Sequence, residues 1–517
     1  MLSSHLTFLL EAQQPADLSR LAEHLPYEWI ERAVQAAGVA SIRRRRLPTE
    51  QVVWLVIALA MYRHWSISEV LDNLDLALPD HTAPFVSKSA VAQARQRIGE
   101  APLAWLFERT ARAWSTQDAA HHGFKGLSLW AMDGTTLRVP DSPANREHFG
   151  AQRYASGKVA SYPQARAVTL TAIPTHLVAD INFGCYDTNE MVYAKSLLPQ
   201  VPDDSLTVFD KGFLAAEILC GLTMNGRNRH FLIPAKSNTR RDLIAGTAED
   251  ATVRMCVSAP ARKKCPALPE FWQARAIRVI DARGCERVLL TSLSDRRRSK
   301  PADIVACYER RWQIETSYRE LKQSMLGMEL ALRSRTVEGV YQEIWGALIA
   351  YNLIRREIAN AAFEAKLAPT DISFVRAVHT IQHEMMWAAV TPAFAKLPAC
   401  LQRLRERLKA LPIEKRPGRA CDRVVKSRPQ RYTVRYLKKD LNGITGTTAF
   451  KKWLAMRATN RLNRSWYSTA ALKGFDAQKV MLLLYPLLSS QLVASFVAAR
   501  HWRMPVTFTK LRSRIDS

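Results

Sequence analysis

Three acids stand in settings from which they could act together. Asp133 follows the apolar run "LSLWAM" (127–132), Asp210 ends "SLTVFD" (205–210), and Glu315 sits inside "YERRWQIETSYRELK" (308–322). The two apolar runs read as strands, so each Asp is expected directly after a strand, with a short rigid carboxylate pointing off a sheet edge. Taken alone, such an Asp is a turn or capping residue. Glu315 alone in a basic helix is an intrahelical ion-pair partner of Arg311 or Arg319. Taken together, two Asp and one Glu can hold two hard divalent cations, Asp133 bridging both, because Mg2+ prefers oxygen ligands and keeps water for substrate phosphates. Two such ions roughly 4 Å apart activate an attacking oxygen and stabilise a leaving one in phosphoryl transfer.

The neighbours of Glu315 fit that chemistry. An ideal helix turns about 100° per residue, so Tyr308, Arg311, Glu315, Arg319 and Lys322 fall within roughly 80° of one another. They are expected to form one exposed stripe, with Ile314, Leu321, Met325 and Met328 on the buried arc. A carboxylate that holds metal, flanked by cations that hold a phosphodiester backbone, accounts for the mixture. There is no Walker loop, no H-E-x-x-H and no G-x-S-x-G elbow to support a rival chemistry.

The totals agree. A chain of 517 residues with Lys plus Arg 74 against Asp plus Glu 47 carries +27, which calls for a polyanionic partner, nucleic acid before membrane. Apolar residues at 48% and charged residues at 23% give a globular composition of two to four domains. Eight cysteines without a C-x-x-C pair imply neither a disulfide framework nor a zinc site, and suit a reducing cytoplasm. The start "MLSSHLTFLLEAQQ" lacks the pattern of a signal peptide.

Several kinds of element must position the acids. Residues 1–118 read as helical: an apolar helix over 49–63 capped by Thr49, a capping box from Ser66 to Glu69, and a short basic helix over 87–99. The basic helix, with Lys88, Arg95 and Arg97, reads either as a helix-turn-helix-like DNA reader or as part of a plain bundle. From 119 to 365 an α/β core follows, with a hairpin over 165–184 and a helix over 189–201. It is broken at about 213–303 by a β-rich insertion that does not continue the sheet. Residues 366–440 are helical and then basic, with ten Lys or Arg between Glu414 and Lys439, either a phosphate-tracking segment or a solvated tail. The tail 441–517 has the uncharged run "VMLLLYPLLSSQLVASFVAA"; Pro486 and its polar side chains favour a buried or partner-binding helix over a membrane span.

"DGTTLRVPDSPANREHFG" (133–150), "YPQARAVTLTA" (162–172), "FDKGF" (209–213), "YERRWQIETSYRELK" and "LRSRTVEGVYQEIWGALIAYNLIRRE" (332–357) resemble the insertion-sequence four family of bacterial transposases. The resemblance runs from about residue 20 to 440. The family's last catalytic pattern, Tyr, two residues, Arg, three residues, Glu, six residues, Lys, falls on Tyr308, Arg311, Glu315 and Lys322 without a gap. The resemblance implies a ribonuclease-H-like mixed sheet with a β-rich insertion, behind an all-helical N-terminal domain and ahead of a helical and basic C-terminal region. It implies an Asp-Asp-Glu triad at Asp133, Asp210 and Glu315 holding two Mg2+ ions, with Mn2+ able to substitute. The implied activity is cut-and-paste DNA transposition, with hydrolytic cleavage at the element's ends and strand transfer by the freed 3′-OH. The implied partners are double-stranded DNA with terminal inverted repeats and target DNA, engaged by a homodimer on paired ends in the cytoplasm, at the nucleoid, with no membrane. Tyr308, Arg311, Arg319 and Lys322 would contact DNA. Trp272 is either the aromatic that stacks on a flipped base or a core residue. Lys211 departs from the Arg that many members carry there, and the tail beyond about 442 departs from the family. A nuclease of the same fold that does not join strands, and a non-catalytic DNA-binding protein, are the alternatives.

Overall fold

The computed structural model describes residue 25 and residues 27–413, apart from 41–46, 74–85, 119–122, 155–158, 281–285, 328–330 and 391–396. The basic segment beyond 413 and the tail 441–517 lie outside the described residues.

Five helices come first: α1 (Tyr27–Ala36), α2 (Thr49–Met61), α3 (Ile67–Asn73), α4 (Lys88–Ile98) and α5 (Ala101–Asp118). Helix α2 is buried on nearly every side, as its apolar run requires. Its N-cap position is Pro48 rather than Thr49, and no side chain caps it; Thr49 is itself buried, with its hydroxyl turned to the Val39 carbonyl. The capping box opening α3 is present, Ser66 N–H donating to Glu69 Oε2 at 2.6 Å and Glu69 N–H to Ser66 Oγ at 3.2 Å. Helix α4 loses two of the three cations that suggested a DNA reader. Arg95 is turned inward to Gln342 and Ser334, and Arg97 to the Leu47 carbonyl.

The α/β region runs β1 (Ser128–Arg138), α6 (Pro143–Phe149), β2 (Gln164–Ala172), β3 (Val178–Cys185), α7 (Glu190–Leu197), β4 (Ser205–Phe209), α8 (Ala216–Met224) and β5 (Arg229–Pro234). Next come β6 (Asp242–Gly246), β7 (Asp250–Cys256), α9 (Ala259–Lys264), β8 (Phe271–Ile280) and β9 (Glu286–Thr291). All nine strands form one mixed sheet in the order β3-β2-β1-β4-β5-β9-β8-β7-β6. β1, β4 and β5 are parallel, β2 is antiparallel to both β1 and β3, and β6 to β9 are an antiparallel meander. The insertion therefore does continue the sheet. β5, expected within it, is a core strand parallel to β4, and β9 bonds to β5 from Leu232↔Thr291 to Pro234↔Leu289. β9, the last strand of the insertion, covers the edge that β5 would otherwise leave open.

Helices α10 (Pro301–Glu309) and α11 (Trp312–Arg319) lead into a π-helical turn (Glu320–Met325), followed by α12 (Val337–Glu364), α13 (Phe374–Val390) and α14 (Leu397–Lys409). Side chains of β1 alternate between two cores. Trp130 and Met132 join Tyr193, Phe209 and Ile218 under α7 and α8, whereas Leu129 and Ala131 join Leu206, Val208, Ile314 and Tyr318 under α10 and α11. A third core is shared by the N-terminal helices, α12 and the outer face of the β2–β3 hairpin, so α12 ties the N-terminal helices to the sheet. Among the described residues no helix is long and apolar enough to cross a membrane.

Candidate active site

The pairing of β1 with β4 brings Asp133 and Asp210 side by side. The parallel register runs through Met132↔Phe209, so the two Asp occupy the next matched positions, on strands about 4.8 Å apart. By the alternation of β1 and β4, both follow Leu129, Ala131, Leu206 and Val208 to the α10–α11 face. Asp210 lies just after β4, as expected, and caps a short 3-10 turn through Oδ2, which accepts from Gly212 N–H at 3.3 Å. Asp133 does not follow its strand but lies within it. β1 runs on to Arg138 because β2 continues to pair with it, from Asp133↔Thr169 to Arg138↔Gln164. Asp133 thus sits where β1 keeps one neighbour and loses the other.

Burial pushes the Asp133 carboxyl up to about 6; Gly134 N–H, donating at 2.8 Å, and the Arg311 guanidinium pull it down, while Asp210 and Glu190 add to the rise.

The segment carrying Glu315 is stitched to β1 from below. Tyr318 donates to the Asp133 carbonyl at 2.6 Å and shares a 2.8 Å hydrogen bond with Thr169, and Lys322 Nζ donates to Thr135 Oγ1 at 3.1 Å. Glu315 precedes Tyr318 by three residues, so it shares that side of the helix. Ile314, Leu321 and Met325 are buried as expected, while Met328 lies outside the described residues. The helix is not ideal, though. It breaks at Arg310–Arg311, and the π turn follows Arg319. The expected exposed stripe is half-buried at Tyr308, Arg311, Glu315 and Lys322, and of these five residues only Arg319 is exposed.

Arg311 Nη2 donates to Glu315 Oε1 at 2.7 Å, and the charge of the same guanidinium acts on Asp133 and Asp210. Tyr308 belongs to this group. Its hydroxyl is raised by burial, with Arg311 opposing the rise and Asp210 adding to it. Among the described residues no three His, Cys, Asp or Glu side chains are drawn tightly enough to hold a metal ion. The donor set still fits a hard divalent cation. It is all oxygen, two of its carboxylates are adjacent, and one positive charge already compensates them.

Two expected residues stand apart. Arg319 makes no described ion pair, and Trp272, on β8, lies four strand spacings from β1, about 19 Å. Trp272 is half-buried against Phe231, with ring centroids 5.8 Å apart, which matches the core reading. Two further residues stand next to these positions. Trp312, at the start of α11, is 59% exposed beside Arg311. Glu190, at the start of α7, lies behind Asp133, and a Cβ on Gly134 would come within 2.7 Å of its carboxyl carbon. Gly134 carried the signal for Glu190, since a glycine inside a strand marks a close approach.

The chain matches the insertion element 4 transposase N-terminal model over residues 15–108 and the transposase DDE domain model over residues 125–353. It is 34% identical over 418 residues to the transposase InsG for insertion sequence element IS4 of Escherichia coli (strain K12), covering 80% of this chain and 93% of that protein. InsZ of the same strain is 36% identical over 242 residues, 46% of this chain and 79% of that protein. A cryo-EM structure of the piggyBac transposase synaptic complex with hairpin DNA overlaps 78% of this chain and 87% of that one at 12% identity and a TM-score of 0.39, a likeness too slight to bear on the site. With a full-length relative at this identity and its N-terminal and DDE domains both matched, the chain belongs to the insertion element 4 family of DDE transposases.

Proposed function

We propose that this transposase performs cut-and-paste transposition, with Asp133, Asp210 and Glu315 as the catalytic carboxylates. The observation that carries the reading is the in-register placement of Asp133 and Asp210 on adjacent parallel strands, under a helix that brings Glu315 to the same face. These carboxylates would hold two Mg2+ ions, which, when bound, make a water or a 3′-OH nucleophilic and offset charge on the leaving oxygen. The remaining work falls to the chain's own side chains. Asp133 must give up its proton before it can act as a ligand. Arg311, Tyr308 and Lys322 flank the acids and would hold the phosphodiester, Lys322 from its seat on Thr135. Tyr318 and its bonds to β1 fix the approach of the helix.

The substrates in this reading are double-stranded DNA bearing terminal inverted repeats and then target DNA in the nucleoid, with a homodimer bridging paired ends. Residues 1–118 serve as the helical N-terminal region, 119–365 as the catalytic core with its insertion, and 366–440 as the helical and basic region. The test is incubation of the protein with Mg2+ and DNA carrying the element's ends. Excision with joined product supports transposition, nicks alone indicate a nuclease, and a shifted band without cleavage indicates a binding protein.

A further inference from the structure

Behind the helix that carries Glu315 lies a buried polar cluster that the reaction does not use. His176, in the turn between β2 and β3, is buried, as are Glu320 at the start of the π turn and Tyr351 and Arg355 on α12. Arg355 grips Glu320 with both arms of its fork, through Nε to Oε2 at 3.0 Å and Nη2 to Oε1. Tyr351 also donates to Glu320 Oε2, at 3.0 Å. Arg355 Nη2 reaches His176 Nδ1 at 2.7 Å. Nδ1 also lies 3.2 Å from Glu320 Oε2; since arginine only donates, Nδ1 accepts from Arg355, and the ring proton sits on Nε2, which donates to Gln313 Oε1 at 2.9 Å. Burial and the Arg355 charge both push the His176 pKa down, consistent with a neutral ring.

The ring therefore links Gln313, two residues before Glu315, to the pair that anchors Glu320, five residues after it. His176 does so from a left-handed backbone, φ 61°, a conformation that costs a non-glycine residue about 1 kcal/mol and persists only where its surroundings over-determine it. The π turn begins at Glu320, and π turns gather at functional sites.

We propose that His176 is a positioning residue of the catalytic helix: by tying Gln313 to the Arg355–Glu320 pair, it fixes the segment 313–320 and so the place of Glu315. This rests on Glu315 being a metal-holding carboxylate. Partners one layer behind a ligand typically change metal affinity or activity by roughly 10- to 100-fold when removed.

The experiment compares His176→Asn, which tolerates the left-handed backbone but is too short to reach Gln313, with Gln313→Ala, which leaves the turn untouched. Melting temperature, binding to end DNA, cleavage rate and Mn2+ affinity of the DNA complex by calorimetry are measured for each. Both variants should fold and bind DNA, lose cleavage about tenfold, and need about tenfold more divalent ion. The double variant should be no worse than either single one, because both break one link. Unchanged Mn2+ affinity in Gln313→Ala, or a cleavage loss that only tracks the unfolded fraction, overturns the proposal. Glu315→Gln is the control: if it keeps normal cleavage and Mn2+ affinity, the Glu315 assignment fails and not the link through His176.

Discussion

Arg311 donates to Glu315 across one turn at 2.7 Å, and the charge of the same guanidinium acts on Asp133 and Asp210. One guanidinium thus acts on all three acids. When DNA and divalent ions arrive, this guanidinium has two calls upon it, the carboxylates and the phosphodiester.

Arg311→Ala separates the two. Without the guanidinium the three acids lose a neighbouring positive charge that competes with metal, so Mn2+ affinity in the absence of DNA should rise about tenfold, a gain of about 1.4 kcal/mol. DNA binding should weaken, and the slope of log K against log salt should fall by about 0.9 for one lost phosphate contact. Calorimetry and salt-titrated binding check both. Unchanged Mn2+ affinity would mean that Arg311 does not compete with metal.

Asp133 gives the pH dependence. Its carboxyl, pushed up by burial from 3.8 to about 6, is protonated in the folded, metal-free protein below that pH. A raised carboxyl favours the fold while protonated, so the metal-free protein should lose stability from this group as pH rises from about 4 to 6, and level off above. Divalent binding must displace the proton, so affinity should fall by about tenfold per pH unit below 6. Mn2+ titrations between pH 5 and 7.5 read this directly, and Asp133→Asn should remove the slope.

Glu320 works with the opposite sign. Burial, the largest single influence, would raise its carboxyl, but the Arg355 charge and the hydrogen-bonding side chains around it, His176 among them, together outweigh burial and hold it at about 2. A depressed carboxyl contributes stability above its unfolded value of 4.5, and that contribution is lost as pH falls from about 4.5 to 2. The loss is on the order of 3 kcal/mol. Glu320→Gln should be less stable at pH 7, since it leaves Arg355 buried without its partner, yet flatter than the wild type between pH 5 and 3 in thermal melts.

Gly134→Ala should destabilise β1 by about 1–3 kcal/mol, because the added methyl meets the Glu190 carboxylate. Adding Glu190→Ala should restore most of the melting temperature. A Gly134→Ala protein as stable as the wild type would show that α7 yields freely.

Much of this was legible in the sequence because strands carry a period of two and motifs carry residue types. The β2–β3 hairpin, the strand ending at Asp210 and the buried arc of Ile314, Leu321 and Met325 were all expected. What escaped depends on partners remote in sequence. β1 extends past Asp133 only because β2 pairs with it, and the insertion joins the sheet only because β5 offers β9 an edge. An ideal helix could not foresee the break at Arg310–Arg311 or the π turn. Arg95, basic on an isolated helix, proved to be a partner of Gln342, about 250 residues away.

The most direct test of the metal-holding assignment is Asp210→Asn, assayed for end binding and for Mg2+-dependent cleavage on the same DNA. The substitution keeps the side chain's shape and its cap on Gly212 while removing the charge. Cleavage lost with end binding largely intact is the predicted result. Cleavage retained, or cleavage and binding lost in equal measure, would contradict it.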